Sequence, residues 1–546
     1  MSQAPFGTIA TMQEAFAADQ PRSTGWIPRV ISLTRSEAPT LAEWSGSLAT
    51  AILLVLSFPN FDLSFLAWIS LVPLLVVIAR RPNPLRALIL GWVAGSVFFY
   101  ASCYWLTYSM IHYGGLPAWL SYLLLVPAAL TAGIFPALFS AGIAQLIKRW
   151  NTPAILFAPF VWAACEWFRL GVIGQLWNAI GYSQAYHPSL IQTAGWGGVY
   201  LVGFLIAATN SAVAMLILKR NWRTIAQASF VLLAALIILF ASSLLAKLKP
   251  VTDLRSHTYL NVVAIQPNVP MSPVKSNEET QELIERHFNL SASGLTHFQG
   301  DQLPRLVVWP ESPMNFTYSS DSTLQQVVQK FVKENHTSLL LNSLEPAPND
   351  GGFNSAVLIN EDGRQISQYD KIRLLPFGEY VPLPYSLGGS LISGLVGDFT
   401  AGNKYTLMPI ANHRAGVFIC IESAYPSIAR NLTNEGADFL INISNDGYLG
   451  RTAVMRQHLA NAVFRAVENG RPLLRVTNSG ISAEISPEGN ITEPTVGFVP
   501  DARTWSVSDY ANRTTFYTKH GDLFVELCAL ITSVLILGTF TKVKGV

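Results

Sequence analysis

Apolar stretches of about 20 residues, long enough to cross a bilayer as a helix, recur through the first half of this chain. They fall at residues 45–60, 64–79, 87–111, 118–146, 153–169, 194–218 and 224–247, with an eighth at 522–541. The first is interrupted by SFPNF around Pro59. No other feature narrows the fold so far. In hydrocarbon every backbone N–H and C=O must be paired within the protein, so continuous apolar runs of this length become bundled helices. Charged residues are 13% of the 546, about half the usual share of a soluble domain. The net charge of only +2 argues against a nucleic-acid partner.

Lysine and arginine in the short loops set the orientation. Arg80, Arg81 and Arg86 lie between the second and third stretches, Lys148 and Arg149 follow the fourth, and Lys219, Arg220 and Arg223 follow the sixth. The alternate loops are nearly free of them, so the basic loops are read as cytoplasmic. From 257 to 510 the texture changes: charges are frequent and apolar runs shrink to strand length. The reading is therefore a cytoplasmic N-terminal tail (1–44), seven spans (45–248), an external domain (257–510), an eighth span (521–541) and a short cytoplasmic tail (542–546). The first forty residues lack the basic-then-apolar order of a cleavable signal.

Within 257–510, β-branched runs such as YLNVVAIQ, RLVVWP, SLLLNS, AGVFIC, ADFLINIS and PLLRVT alternate with amphipathic helical segments at 279–290 and 453–468. In the second segment Leu459, Val463 and Val467 recur every fourth residue and form one apolar stripe. Strands interleaved with helices predict an α/β layered domain. Three polar residues interrupt apolar settings there: Glu311 in LVVWPES, Lys371 in YDKIRLLPFGEY and Cys420 in AGVFICIES. Of four cysteines, Cys103, Cys165 and Cys528 fall in apolar stretches and read as packing residues, whereas Cys420 has no disulfide partner in the external domain. A thiol where a strand meets a helix start suits a nucleophile, because the following N–H groups and helix dipole favour thiolate and oxyanion. A carboxylate, an ammonium and a thiol supply base, oxyanion partner and nucleophile.

WPES at 309–312, YDKIRLLPFGEYVPL from Tyr369, the Cys420-x-Glu422 strand end, ISNDGYLG from Ile443 and FRAVENGRPLLRVTNSGIS from Phe464 resemble the nitrilase superfamily. With the apolar half and GYSQ at 181–184, the chain resembles the bacterial apolipoprotein N-acyltransferases over nearly all its length after residue 45. It departs from their pattern at Ile421, where an aromatic is usual, at Tyr448-Leu449, where a Trp-Phe pair is usual, and after the NVP turn at 268–270, where no Trp follows.

The resemblance implies an αββα sandwich beside the eight-span transmembrane bundle, with Glu311 as general base, Lys371 as oxyanion partner and Cys420 as nucleophile. Glu379 and Glu422 match accessory acids that orient the lysine and support the nucleophile strand. Trp177, just before GYSQ, is expected at the outer membrane interface as a substrate contact or an anchor. The implied partners are a phospholipid acyl donor, a diacylglyceryl apolipoprotein acceptor and the lipid bilayer, in a bacterial inner membrane with the catalytic domain periplasmic. No metal or organic cofactor is implied. A membrane-tethered amidohydrolase that gives the acyl group to water has the same triad, and a transporter with a degenerate external domain is the other class weighed. Between Glu379 and the nucleophile strand, PLPYSLGGSLISGLVGDF is read as a lipid-guiding lid.

Overall fold

The computed structural model describes residues 38–248, 258–272, 275–348, 351–376, 378–380, 399–508 and 514–541. The expected lid and most of both expected tails lie outside them.

The apolar half forms helices α1 (Leu41–Ser57), α2 (Val72–Arg80), α3 (Pro84–Ser102), α4 (Leu106–His112), α5 (Ala118–Trp150), α6 (Ala158–Ile173), α7 (Pro188–Ile191), α8 (Ala194–Leu218) and α9 (Trp222–Leu248). Five helical segments among the described residues are long and apolar enough to cross a membrane: 84–102, 118–150, 152–173, 194–218 and 222–246. Three shorter apolar segments, Leu41–Ser57, Ser64–Arg80 and Leu523–Gly538, stand where the first, second and eighth spans were expected. The third expected span is shorter than its apolar run, because the helix ends at Ser102 and α4 restarts at Leu106. Helices α3 and α5 approach closely through small residues. A Cβ on Gly91 would lie 2.2 Å from the Ser140 hydroxyl, so glycine is what permits that approach. Helix α8 breaks at Gly197 and Gly198. Gly198 has φ +65° and its Cα faces the Tyr517 ring, leaving no room for a side chain.

The other half contains two six-stranded sheets. The first has the order β12-β1-β2-β3-β4-β5 and the second β11-β10-β9-β8-β7-β6. Their strands are β1 (Thr258–Gln266), β2 (Arg305–Val308), β3 (Ser338–Pro346), β4 (Gly352–Ile359), β5 (Gln365–Asp370), β6 (Leu407–Ile410), β7 (His413–Ile419), β8 (Phe439–Ser444), β9 (Leu473–Thr477), β10 (Ala483–Ile485), β11 (Ile491–Thr492) and β12 (Asp501–Ser508). Three parallel strands form the heart of each sheet, β1-β2-β3 and β7-β8-β9, with antiparallel flanks. Period-two alternation divides the first sheet between two cores. Leu260, Val262 and Ala264 join the cluster that holds the second sheet, whereas Val263 and Ile265 join Leu324, Val328 and Val332 on the outer side. That outer layer is α10 (Asn277–Leu295) and α11 (Ser322–Asn335). Beyond the second sheet lie α12 (Pro426–Asn434) and α13 (Val454–Asn469), giving the αββα order. Helices α14 (Phe516–His520) and α15 (Leu523–Gly538) return the chain to the bundle, where α15 packs on α6 and α8.

Candidate active site

Each expected catalytic side chain stands just past a strand end, where buried backbone fixes its root. Glu311 follows β2, Lys371 is the first residue after β5, and Cys420 the first after β7. The structure brings all three together. Lys371 is buried, with its Nζ 2.8 Å from Glu379 Oε1 and 3.6 Å from Glu311 Oε1. Burial alone would strip the ammonium of its proton, but the Glu379 and Glu311 charges outweigh it and hold the pKa above its ordinary value. The same ammonium, against burial, holds Glu379 below the ordinary carboxylate range.

Cys420 has φ +52°, a left-handed conformation rare for a side chain other than glycine. Here the structure corrects an expectation. No α-helix starts at the thiol; a 3₁₀ turn, Cys420–Ala424, intervenes, and α12 begins only at Pro426. Burial, then the Glu311 carboxylate, push the Cys420 thiol up, with Lys371 opposing. This direction favours the thiol over the thiolate at Cys420.

Glu422 is fully buried and joins the two sheets. Its Oε1 accepts the Ile372 and Arg373 N–H groups at 2.8 and 3.0 Å and the Tyr369 hydroxyl at 2.9 Å. Its Oε2 accepts the Ile419 N–H at 2.7 Å. One carboxylate thus ties the lysine segment to the end of the nucleophile strand. Burial pushes its pKa up to about 7 despite these donors.

The sequence reading missed Asn354 on β4. Its side-chain amide donates to Glu379 Oε1 at 2.8 Å and to Glu311 Oε1 at 3.0 Å, and its backbone carbonyl accepts the Lys371 N–H. Asn342 of β3 donates to Asn354 Oδ1 at 2.8 Å and fixes which way that amide faces. An asparagine inside the strand GFNSAVLI was the available signal, since a buried amide needs partners.

Two family models match the chain: the apolipoprotein N-acyltransferase N-terminal domain over residues 50–212 and carbon-nitrogen hydrolase over 300–497. The apolipoprotein N-acyltransferase of Geobacter metallireducens is 31% identical over 500 residues, spanning 89% of this chain and 93% of that protein. The chain belongs to this family. The enzymes of the same name from Brucella suis and Azotobacter vinelandii are 30% and 32% identical, over 85% and 83% of this chain and 88% and 87% of theirs. Among solved structures, an amidase from Nesterenkonia sp. aligns over 50% of this chain and 96% of its own at 15% identity, with a TM-score of 0.36.

The bundle half also reaches the segment that follows β8. Tyr113, after α4, meets Tyr448 edge-on at 6.1 Å, and its hydroxyl lies 3.4 Å from the Gly447 carbonyl. Burial, with Glu311 and Cys420 adding to it, pushes the Tyr448 hydroxyl up to about 12. Trp177, expected as a substrate contact or an anchor, is enclosed by protein. It is buried, with Nε1 donating to Gln457 Oε1 at 2.9 Å and its ring 5.3 Å from Trp105 and 5.6 Å from His458. An indole enclosed in this way is not a membrane-edge anchor. Its N–H is satisfied by the catalytic domain instead of by water.

Proposed function

We propose that this chain N-acylates the α-amine of the S-diacylglyceryl-cysteine at the N-terminus of apolipoproteins, taking the acyl group from a membrane phospholipid. The observation that carries the reading is a buried ammonium shared by two carboxylates beside a strand-end cysteine, in a chain of this family. Glu311 takes the Cys420 proton as sulfur attacks the phospholipid ester carbonyl. Lys371 and the Ile421 N–H stabilise the tetrahedral oxyanion, each donor worth about 3–4 kcal/mol in the transition state. The ester C–O bond breaks, Glu311 returns the proton to the leaving oxygen, and a lysophospholipid departs. The lipoprotein amine then attacks the Cys420 thioester. Glu311 removes the amine proton and delivers it to sulfur, so the enzyme is regenerated with an amide formed. Glu379 keeps Lys371 charged and Glu422 keeps the lysine and nucleophile segments in register.

The basic loops support eight membrane crossings, three of them short, with both termini cytoplasmic and the catalytic domain periplasmic. Both substrates are lipid-anchored, which is why the hydrolase-like half is joined to a bundle. The test is mass spectrometry of the purified enzyme incubated with phospholipid and no acceptor. A fatty-acyl adduct on the Cys420 peptide is expected, absent in Cys420→Ser and discharged by a diacylglyceryl peptide. An adduct on another residue, or transfer by Cys420→Ser, overturns the assignment.

A further inference from the structure

Something must hold the Cys420 backbone in its left-handed conformation. Glu422 secures the strand before it, through the Ile419 N–H. On the other side the Cys420 carbonyl oxygen lies 3.0 Å from His458 Nε2, on α13. His458 Nδ1 in turn lies 2.8 Å from Asp446 Oδ1, and Asp446 is gripped by Arg475 Nη2 at 2.9 Å. All three side chains are buried. The Cys420 carbonyl and the Asp446 carboxylate are both acceptors, so both bonds form together only in the doubly protonated ring. Burial and the Arg475 charge hold the His458 pKa below its ordinary value, with the Asp446 carboxylate and the Cys420 carbonyl opposing them. The proton on Nε2 is the one that holds the nucleophile's backbone.

The position of His458 is itself fixed from the bundle. Its neighbour Gln457 accepts the indole N–H of Trp105 at 3.0 Å and of Trp177 at 2.9 Å. The Gln457 amide donates to the Ser102 carbonyl at 3.0 Å and the Pro59 carbonyl at 3.2 Å. Two consecutive residues on one turn thus have different partners, Gln457 in the bundle loops and His458 at the Cys420 carbonyl.

We propose that His458 is a positioning residue for the acyl-transfer reaction, donating from Nε2 to the Cys420 carbonyl and so transmitting the seating of the bundle loops to the nucleophile. This rests on the reading of Cys420 as nucleophile. The donated bond keeps the thiol and the following N–H aimed at one point, and misplacing reacting groups by about 1 Å costs on the order of 100-fold in rate.

The test compares His458→Gln, whose amide nitrogen can stand where Nε2 stands, with His458→Met, which fills similar space and donates nothing. Acylation of Cys420 by phospholipid is followed by mass spectrometry, with KM for the phospholipid and melting temperature measured on the same preparations. We expect His458→Met to acylate about 100-fold slower than the parent with KM unchanged, and His458→Gln to recover at least about tenfold of that loss. Equal rates in the Gln and Met variants, or a parent rate in His458→Met, overturn the proposal. So does a loss in both variants that follows melting temperature alone, since that is a structural role. A parent enzyme that acylates at another residue defeats the nucleophile assignment instead, and the two failures are distinguishable.

Discussion

Helices α10 and α13 read alike in the sequence, yet they are held by different physics. Each shows an apolar stripe with a polar remainder. In α10 Leu283, His287, Ser291, Gly294 and Leu295 are buried on one side, and most of the charged face meets water. In α13 every residue from Gln457 to Asn469 is buried. Leu459 and Val463 join the core under the second sheet, as the stripe predicts. The polar face turns to the bundle, where Arg465 donates to the Tyr182 hydroxyl at 3.1 Å and to Glu468 at 3.0 Å, and Glu468 accepts the Val199 N–H at 2.9 Å. A polar helix face is therefore no sign of water when a second polar surface waits for it. Its groups must then be matched one by one.

The contrast breaks first at Arg465. Arg465→Met leaves Glu468 buried with its cation gone and should destabilise the protein by about 3–5 kcal/mol. Denaturant unfolding in detergent, read by fluorescence, measures it; a loss below about 1 kcal/mol would mean that the face is matched by packing alone. The next effect belongs to α10. Leu283→Ala should cost about 2–4 kcal/mol, because Leu283 is buried in the apolar stripe of that helix. A smaller loss there than at the α10 ion pair would reverse the account.

Acid sharpens the comparison further. Against the pull of burial, Arg475 and His458 hold the Asp446 carboxyl down at about 2, below its ordinary 3.8. A carboxyl with a depressed folded pKa contributes stability that is present above its ordinary pKa and is lost as pH falls through the folded value. Asp446→Asn should therefore be less stable than the parent at pH 5, and about 2 kcal/mol of the gap should close by pH 2. A gap that stays constant over this range excludes the depressed carboxyl. The smallest effect is at Arg286 and Glu282 on α10, 3.3 Å apart and largely in water. Arg286→Ala should change stability by no more than about 0.5 kcal/mol.

How much of this was legible follows from distance along the chain. Glu311, Lys371 and Cys420 each sit in a local string that announces a strand end, so their convergence could be read from motifs. The layered sheets were legible from alternation and run length for the same reason. The partners of α13 were not, because Pro59, Ser102, Trp105 and Trp177 lie hundreds of residues away and carry no matching pattern. Nor was the left-handed backbone of Cys420, since the motif marks a strand end without fixing the φ of the residue that ends it. Asn354 was missed because one amide within a strand looks like an outward-facing residue. The first apolar helix starts earlier than its expected run and stops at Ser57, before the Pro59 segment, and the second is shorter than its run because a 3₁₀ turn, Ser64–Ile69, precedes it.

The break in α8 has a consequence for how the molecule is made. Past Gly198 the helix begins again, and the opening N–H of Val199 finds its acceptor in Glu468, 269 residues later. At the roughly 5–20 residues per second of synthesis, the ribosome needs on the order of tens of seconds to supply that carboxylate. Throughout that interval the second half of α8 exists without its cap. The bundle helices before the catalytic half are thus synthesised without this cap, and also without α15, which follows that half in the chain and packs on α6 and α8.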